Sequence, residues 1–262
     1  VICFVYHDAN NDARFDADEQ PIAGVELRLL DASGQLVGVQ ATDAQGFYQF
    51  RGLSAGSYTI VETQPAGWVD GQDTPGTIQG ATVGSARNPG DRIDQIQLRW
   101  GEHGEHYNFG ELATVKLGGF VFHDRDNDGR RELGEEGIGD VTLRVVPIQT
   151  LAPQSAVTAM TNADGMWMTG PLAPGTYRVI QDGQPDGYLD GLDSAGRVGS
   201  EPRGVAMNPG DQIDNITLAS GEQGVDYNFG EVRPSTIQGR VHLSDENGNC
   251  DLDEASHRPV GG

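Results

Sequence analysis

Asp124-Arg125-Asp126-Asn127-Asp128-Gly129-Arg130-Arg131-Glu132-Leu133-Gly134-Glu135 is the stretch on which the reading of this chain turns. Carboxylates stand at positions 1, 3, 5, 9 and 12 of the run, and glycine at position 6. This is the EF-hand spacing, in which alternate residues of a reversing chain present oxygen ligands to a hard cation such as Ca²⁺. Position 7 contributes its backbone carbonyl, so an arginine there is no obstacle. The run predicts a Ca²⁺ site made by Asp124, Asp126, Asp128, the Arg130 carbonyl, Glu132 and Glu135. The pattern occurs twice more, as Asp8, Asn10, Asp12, Arg14, Asp16 and Glu19, and as Asp245, Asn247, Asn249, Asp251 and Asp253.

The three runs are not equal. Ala13 holds position 6 of the first, where glycine supplies a positive φ; a side chain there carries roughly 1–2 kcal/mol of strain. The third has Cys250 at position 6 and Ser256 at position 12. The first and third sites are therefore expected to bind more weakly than the second.

Each acidic run opens a longer repeat. Asp8 and Asp124 are 116 residues apart, and Tyr107-Asn108-Phe109-Gly110-Glu111 and Tyr227-Asn228-Phe229-Gly230-Glu231 are 120 apart. The drift places inserted residues chiefly in a loop around Pro147 to Gln154. A period of this length is that of a whole domain rather than a solenoid turn. The expected organisation is a first domain over 1–112, a second over 113–232, and the start of a third over 233–262. The joins, Leu112-Ala113-Thr114-Val115 and Val232-Arg233-Pro234-Ser235, contain no Gly/Ser tether, which predicts restricted swing between domains.

Short apolar or alternating runs bounded by turn residues predict strands almost throughout. Examples are Val25 to Leu30, Phe47 to Phe50, Ser57 to Val61, Val141 to Val146 and Thr176 to Ile180. No segment carries a capped 3.6-residue period. The predicted fold is all-β, a tandem of β-sandwiches. The acidic run leaves one strand and enters the next, so it is an EF-hand-like loop in a β-domain.

Of 262 residues, 39 are acidic and 17 basic, giving a net charge of −22. Such a surface disfavours nucleic acid and anionic membranes and suits bound cations. No apolar run is long enough for a transmembrane helix, so direct membrane insertion is not expected. With 38 glycines and 13 prolines, the cores should be thin and the turns many. The two cysteines, Cys3 and Cys250, lie in different repeats. A secreted chain without disulfides often uses metal to hold small domains together. The sequence opens inside a strand-like run and reads as a fragment of a longer protein.

The chain resembles the B-type repeats of bacterial serine-aspartate repeat surface proteins, which are related to the collagen-adhesin B domains. The resemblance is carried by Phe120 to Gly129, Gly134 to Val141, Thr161 to Gly165, Pro174 to Tyr177, Pro185 to Tyr188 and Tyr227 to Glu231, with matching motifs in the first repeat. It implies Ig-like or prealbumin-like sandwiches, rigidity that depends on calcium, and a stalk role in a secreted or surface-attached adhesin or matrix protein. Neighbouring repeats, and extracellular-matrix or cell-surface ligands, are the partners it implies. Some relatives form a Lys–Asn isopeptide bond beside a buried acid; Asn108 or Asn228 and Glu62 match those roles. The single lysine, Lys116, makes the bond an unfavoured expectation here.

Other features carry less. Asp70, Asp73, Asp91, Asp94 and Glu111, with Asp190, Asp193, Asp211, Asp214 and Glu231, form a second repeated acidic set. They could build a further cation site, but turn chemistry is the favoured reading. His103 and His106 sit in a Gly-Glu-His-Gly-Glu-His run without a counterpart in the second repeat, too few ligands for zinc. No catalytic motif stands in its required context, so an enzyme is not expected. The rival functions are a protein- or carbohydrate-binding module, for which Trp68, Trp100 and Trp167 are candidate contacts, and an accessory domain of a secreted enzyme.

Overall fold

A computed structural model describes residues 3–239, together with the strand pair His242–Leu243 and Arg258–Pro259. The third acidic run, Asp245 to Asp253, lies outside the described residues. The described elements are all strands, and among the described residues no helix is long and apolar enough to cross a membrane.

Residues 3–113 build a first sandwich. One sheet orders Phe47–Tyr48, Cys3–His7, Phe109–Ala113 and Trp68–Asp70; the other orders Leu36–Ala41, Glu26–Asp31, Gly56–Glu62, Arg92–Leu98 and Ser85–Arg87. Alternation makes the central strands of the second sheet two-faced. In Gly56–Glu62 the buried side chains are Tyr58, Ile60 and Glu62, and in Arg92–Leu98 they are Ile93, Ile96 and Leu98. The jump from Ile93 to Ile96 is a bulge, with Gln95 at φ 59°. The core gathers Val5, Leu27, Leu29, Tyr48, Ile60, Ile93, Tyr107 and Phe109.

Residues 116–232 repeat this plan. Val121, Leu143, Val145, Trp167, Tyr177, Val179, Ile213, Ile216 and Phe229 fill the second core. The inserted residues do not form a loop over their whole length. They lengthen a strand, Thr142–Thr150, with a bulge between Pro147 and Gln149. Its partner Val157–Met160 stops opposite Val145, so Pro147 lies where one edge is unpaired. That is where a strand tolerates a residue without an N–H.

In each sandwich the first strand runs parallel to the last. Val5, Tyr6 and His7 pair with Phe109, Gly110 and Glu111, and Val121, Phe122 and His123 pair with Phe229, Gly230 and Glu231. The acidic run leaves the end of the first strand at this pairing.

The join between the sandwiches is packed. Strand Phe109–Ala113 gives way to Lys116–His123 after Thr114 and Val115, and Val115 bridges Leu172. Leu112 is fully buried against Ala152 and Ala173 of the second sandwich, with Val69 alongside. Ser220 Oγ hydrogen bonds with His7 Nε2 at 2.7 Å and accepts the Ala113 N–H at 2.8 Å. The His7 ring also meets Trp68 edge-on at 5.0 Å.

Candidate metal centres

The second acidic loop is folded by its own side chains. Asp124, fully buried, accepts the N–H groups of Asp128 (3.2 Å) and Gly129 (2.7 Å). Asp128 accepts the Arg130 N–H at 2.8 Å. Glu135 closes the loop by accepting the N–H of Arg125 at 2.8 Å and of Glu132 at 2.9 Å. Carboxylate oxygens of Asp124, Asp126 and Glu135 lie within 4.8 Å of one another, as do those of Asp126, Asp128 and Glu132. All five acids predicted for this site thus converge, in two groups sharing Asp126. Coulombic pressure, first from Asp128, raises the Glu132 pKa, and burial raises that of Asp124. Crowded carboxylates without a countercharge are the arrangement that a hard cation relieves.

The first loop repeats the hydrogen bonds. Asp8 accepts from Asp12 (3.0 Å) and Ala13 (2.8 Å), and Glu19 accepts from Ala9 (3.0 Å) and Asp16 (3.1 Å). Asn10 accepts the Asp12 N–H instead of presenting a charge. Among the described residues, no group of three carboxylates closes here as it does in the second loop. Position 6 is left-handed in both loops, with Gly129 at φ 77° and Ala13 at φ 64°. Position 4 is left-handed as well, at Asn11 and Asn127, both φ 57°. Asparagine tolerates that conformation, and Asn127 Oδ1 also accepts the Leu192 N–H at 2.9 Å. The sequence reading gave position 4 no role.

A second acidic centre lies beside each loop, and the first module's is buried. Glu62, Asp91 and Glu111 bring carboxylate oxygens within 4.8 Å of one another. Asp73 is also buried, while Asp70 is half-buried and accepts the Gly90 N–H at 2.5 Å. Burial pushes Asp73 up to about 9, Glu111 to about 8, Asp70 to about 6, and Glu62 well above the carboxylate range. Buried Asp73 and Glu111 depart from the turn-chemistry reading, whereas Asp190 is exposed and accepts the Gly210 N–H at 3.0 Å, as that reading expects. Glu62, assigned above only to an isopeptide, is part of the chamber. Asp94 is not: it accepts from Arg87 (2.8 Å) and Arg92 (2.6 Å). Asp214 is likewise held by Arg178.

Glycine lets the chamber form. A Cβ on Gly71 would stand 2.5 Å from the Gly110 carbonyl oxygen, and one on Gly110 would stand 2.6 Å from that of Gln72. The strand carrying Glu111 and the segment carrying Asp70 and Asp73 can meet only without side chains there. In the second module Asp190, Asp193, Asp211 and Glu231 hold the matching places, with Gln181 at the Glu62 position. Burial pushes Asp193 up to about 9 and Glu231 to about 7.

The remaining candidates separate. Asn108 and Asn228 use their Oδ1 atoms to accept the N–H groups of Phe4 and Phe120, both at 3.0 Å. Lys116 is exposed. Trp167 is buried, Trp68 is half-buried, and Trp100 is 78% exposed. Trp100 is the single aromatic among the large exposed hydrophobics of the described residues, so the three tryptophans make no shared patch.

The profile of the SdrD B-like domain matches residues 3–111 and again 115–232. Serine-aspartate repeat-containing protein D of Staphylococcus aureus strain Newman is 30% identical over 260 residues, covering 94% of this chain and 18% of that protein. Serine-aspartate repeat-containing protein E of S. aureus strain USA300 is 30% identical over 185 residues, covering 68% of this chain and 15% of that protein. The chain thus spans under a fifth of the length of these relatives. A variant of the shaft pilin SpaA from Lactobacillus rhamnosus GG aligns over 91% of this chain and 98% of that one, at 10% identity and TM-score 0.37. The minor pilin GBS52 of Streptococcus agalactiae aligns over 92% and 98%, at 12% identity and TM-score 0.36. With its profile met twice across two successive all-β sandwiches, the chain belongs to the SdrD B-like domain family.

Proposed function

We propose that this chain is a pair of calcium-braced structural modules, a semi-rigid spacer within a larger bacterial protein exposed outside the cell. The observation that carries the reading is the convergence of Asp124, Asp126, Asp128, Glu132 and Glu135 in one loop. The ligands are oxygen alone, which suits Ca²⁺ rather than a softer metal. The Arg130 carbonyl completes the set, and Asp8, Asn10, Asp12, the Arg14 carbonyl, Asp16 and Glu19 form its counterpart. The cation would neutralise acids that repel one another in a chain of net charge −22. In the first module it would fix the loop to the end of the first strand, beside the join where His7 meets Ser220. The family supports the surface and spacer role, and the partners are the neighbouring repeats and, through the larger protein, surface or matrix ligands.

The test is thermal unfolding of the intact chain with calcium and with chelator. Binding to the folded state alone stabilises by about 2.7 kcal/mol at a hundredfold excess over Kd. The melting temperature should rise with calcium and fall on chelation, and Asp124→Asn should shrink the difference. A melting curve indifferent to calcium would remove the bracing role.

A further inference from the structure

The end of the second module that faces the first carries a turn that recurs in the first module with a different outermost side chain. Leu98 and Leu218 anchor the two turns in their cores. Glu102 Oε2 accepts the Arg99 N–H and Glu222 Oε2 accepts the Ala219 N–H, both at 2.8 Å. Gly101 at φ 78° and Gly221 at φ 79° complete the match. Between these fixed points stands Trp100 in the first module and Ser220 in the second.

The second turn is an interface. Ser220 Oγ bonds with His7 and accepts the Ala113 N–H, and Gly221 donates its N–H to the Ala113 carbonyl at 3.2 Å. A Cβ on Gly221 would lie 3.5 Å from that of Ala113. So close an approach leaves room for a hydroxyl and none for an indole. The positions around Ser220 are small or neutral: Gly170, Ala219 and Gln223. Their counterparts around Trp100 are Arg51, Arg99 and His103. The first module therefore presents, on the face that the second uses to hold a protein partner, a chemistry that fits a different one.

Arg51, Arg99 and His103 line a groove of about 390 Å³ together with Phe50, Leu53 and Leu98. Trp100, between Arg99 and Gly101 of that lining, is 78% exposed. Other arginines are held by acids: Arg87 and Arg92 by Asp94, Arg144 by Asp182, and Arg178 by Asp214. Among the described residues, Arg51 and Arg99 pair with no carboxylate. Arg51 donates instead to Gln49 Oε1 at 2.6 Å. Glu102, the acid of the lining, is engaged with the turn through the Arg99 N–H. In a chain of net charge −22, two guanidiniums without acid partners beside an exposed indole form a local site of opposite sign. Trp and Arg are also the side chains that most often dominate the energy of protein interfaces.

We propose that this face of the first module, built from Trp100, Arg51, Arg99 and His103, docks an acidic polypeptide. The partner's carboxylates meet the two guanidiniums, whose planar forks match carboxylate oxygens. An apolar side chain of the partner packs on Trp100 and against Phe50 and Leu98, and the His103 ring offers a further hydrogen bond. The site uses no calcium ligand, so it goes beyond the bracing role and does not depend on it.

The probe is fluorescently labelled poly-L-glutamate, titrated with the intact chain at neutral pH and fixed calcium; chondroitin sulfate is a second arm. The intact chain should bind poly-L-glutamate saturably, and more weakly as salt rises. Trp100→Ser and Arg51→Gly give the first module the residues that the second carries at those places. Each should weaken binding by about tenfold, with an unchanged melting curve. Arg99→Ala should do the same, and Arg28→Ala, at an exposed arginine on the strand Glu26–Asp31, should leave binding as it was. A calcium bridge between the probe and the acidic loops would survive Trp100→Ser, so binding that this variant does not weaken would overturn the proposal. So would an intact chain that fails to bind poly-L-glutamate. Tighter binding of chondroitin sulfate through the same residues would assign the face to a polysaccharide and overturn it as well.

Discussion

The backbone N–H of Asp124 donates to the carbonyl oxygen of Glu231 at 2.9 Å, joining the first acid of the loop to the last acid of the chamber. Asp8 and Glu111 make the same bond at 2.9 Å. Each pair sits at the end of the parallel pairing between a module's first and last strands. Loop and chamber therefore hang on one strand end, and whatever orders one steadies the other. Side contacts reinforce the link: Gln72 Nε2 donates to the Asn11 carbonyl at 3.0 Å, and Thr74 Oγ1 donates to that of Ala13 at 2.7 Å.

Backbone strain at position 6 should separate the two loops. Ala13 holds φ 64° and Gly129 holds φ 77°. Ala13→Gly should tighten the first site, and Gly129→Ala should weaken the second, each by about 1 kcal/mol or about fivefold in Kd. The Cβ of Gly129→Ala would meet nothing closer than 3.4 Å, so the loss isolates conformation from crowding. Calorimetric titration of the two variants reads both changes. A first site that is unaffected by Ala13→Gly would contradict the strain argument.

Acidity should govern the metal-free protein. Burial pushes Asp73 and Asp193 up to about 9, Glu111 to about 8 and Glu231 to about 7. An acid whose folded pKa exceeds its unfolded value of about 4 favours folding fully below that value. The advantage is lost as pH rises through the folded pKa. In chelator, the melting temperature should thus fall between about pH 4 and pH 9. Calcium should flatten the fall, since a cation favours the ionised ligands. A chelated melting temperature that rises over this range would contradict the assignment.

The join should stiffen through Ser220. Its Oγ accepts the Ala113 N–H and bonds with His7, and Ser220→Ala removes both contacts. Each lost bond weakens the interface by about 1 kcal/mol. Small-angle scattering of the intact chain should show a broader distribution of inter-module distances in Ser220→Ala, and a still broader one in Leu112→Ser. Profiles that superimpose on the wild type would show that the join is held elsewhere.

The fold was legible because its signals are local. Alternation in Ser57 to Val61 and turn residues around it suffice for strands, and the acidic spacing of Asp124 to Glu135 suffices for a loop closed by carboxylates. The chamber was harder to read because Glu62 and Glu111 are far apart in sequence and meet only through sheet pairing. One signal was present. Glu62 follows Tyr58 and Ile60 on the inward face, and Glu111 follows Phe109, so an acid stands where alternation calls for an apolar residue. Asp94 misled for the converse reason: it repeats at the same period as the chamber acids, yet faces Arg87 and Arg92. The insertion near Pro147 read as a loop because proline breaks a strand pattern, and an unpaired edge is not visible in sequence.

The most direct measurement is a crystal structure of the intact chain in millimolar calcium, with the ions located by anomalous scattering. The account predicts an ion among Asp124, Asp126, Asp128, the Arg130 carbonyl, Glu132 and Glu135, and a second among the first-loop ligands from Asp8 to Glu19. A loop closed only by its own N–H donors, with water among the Asp124, Asp126 and Glu135 oxygens and no anomalous signal, would contradict it.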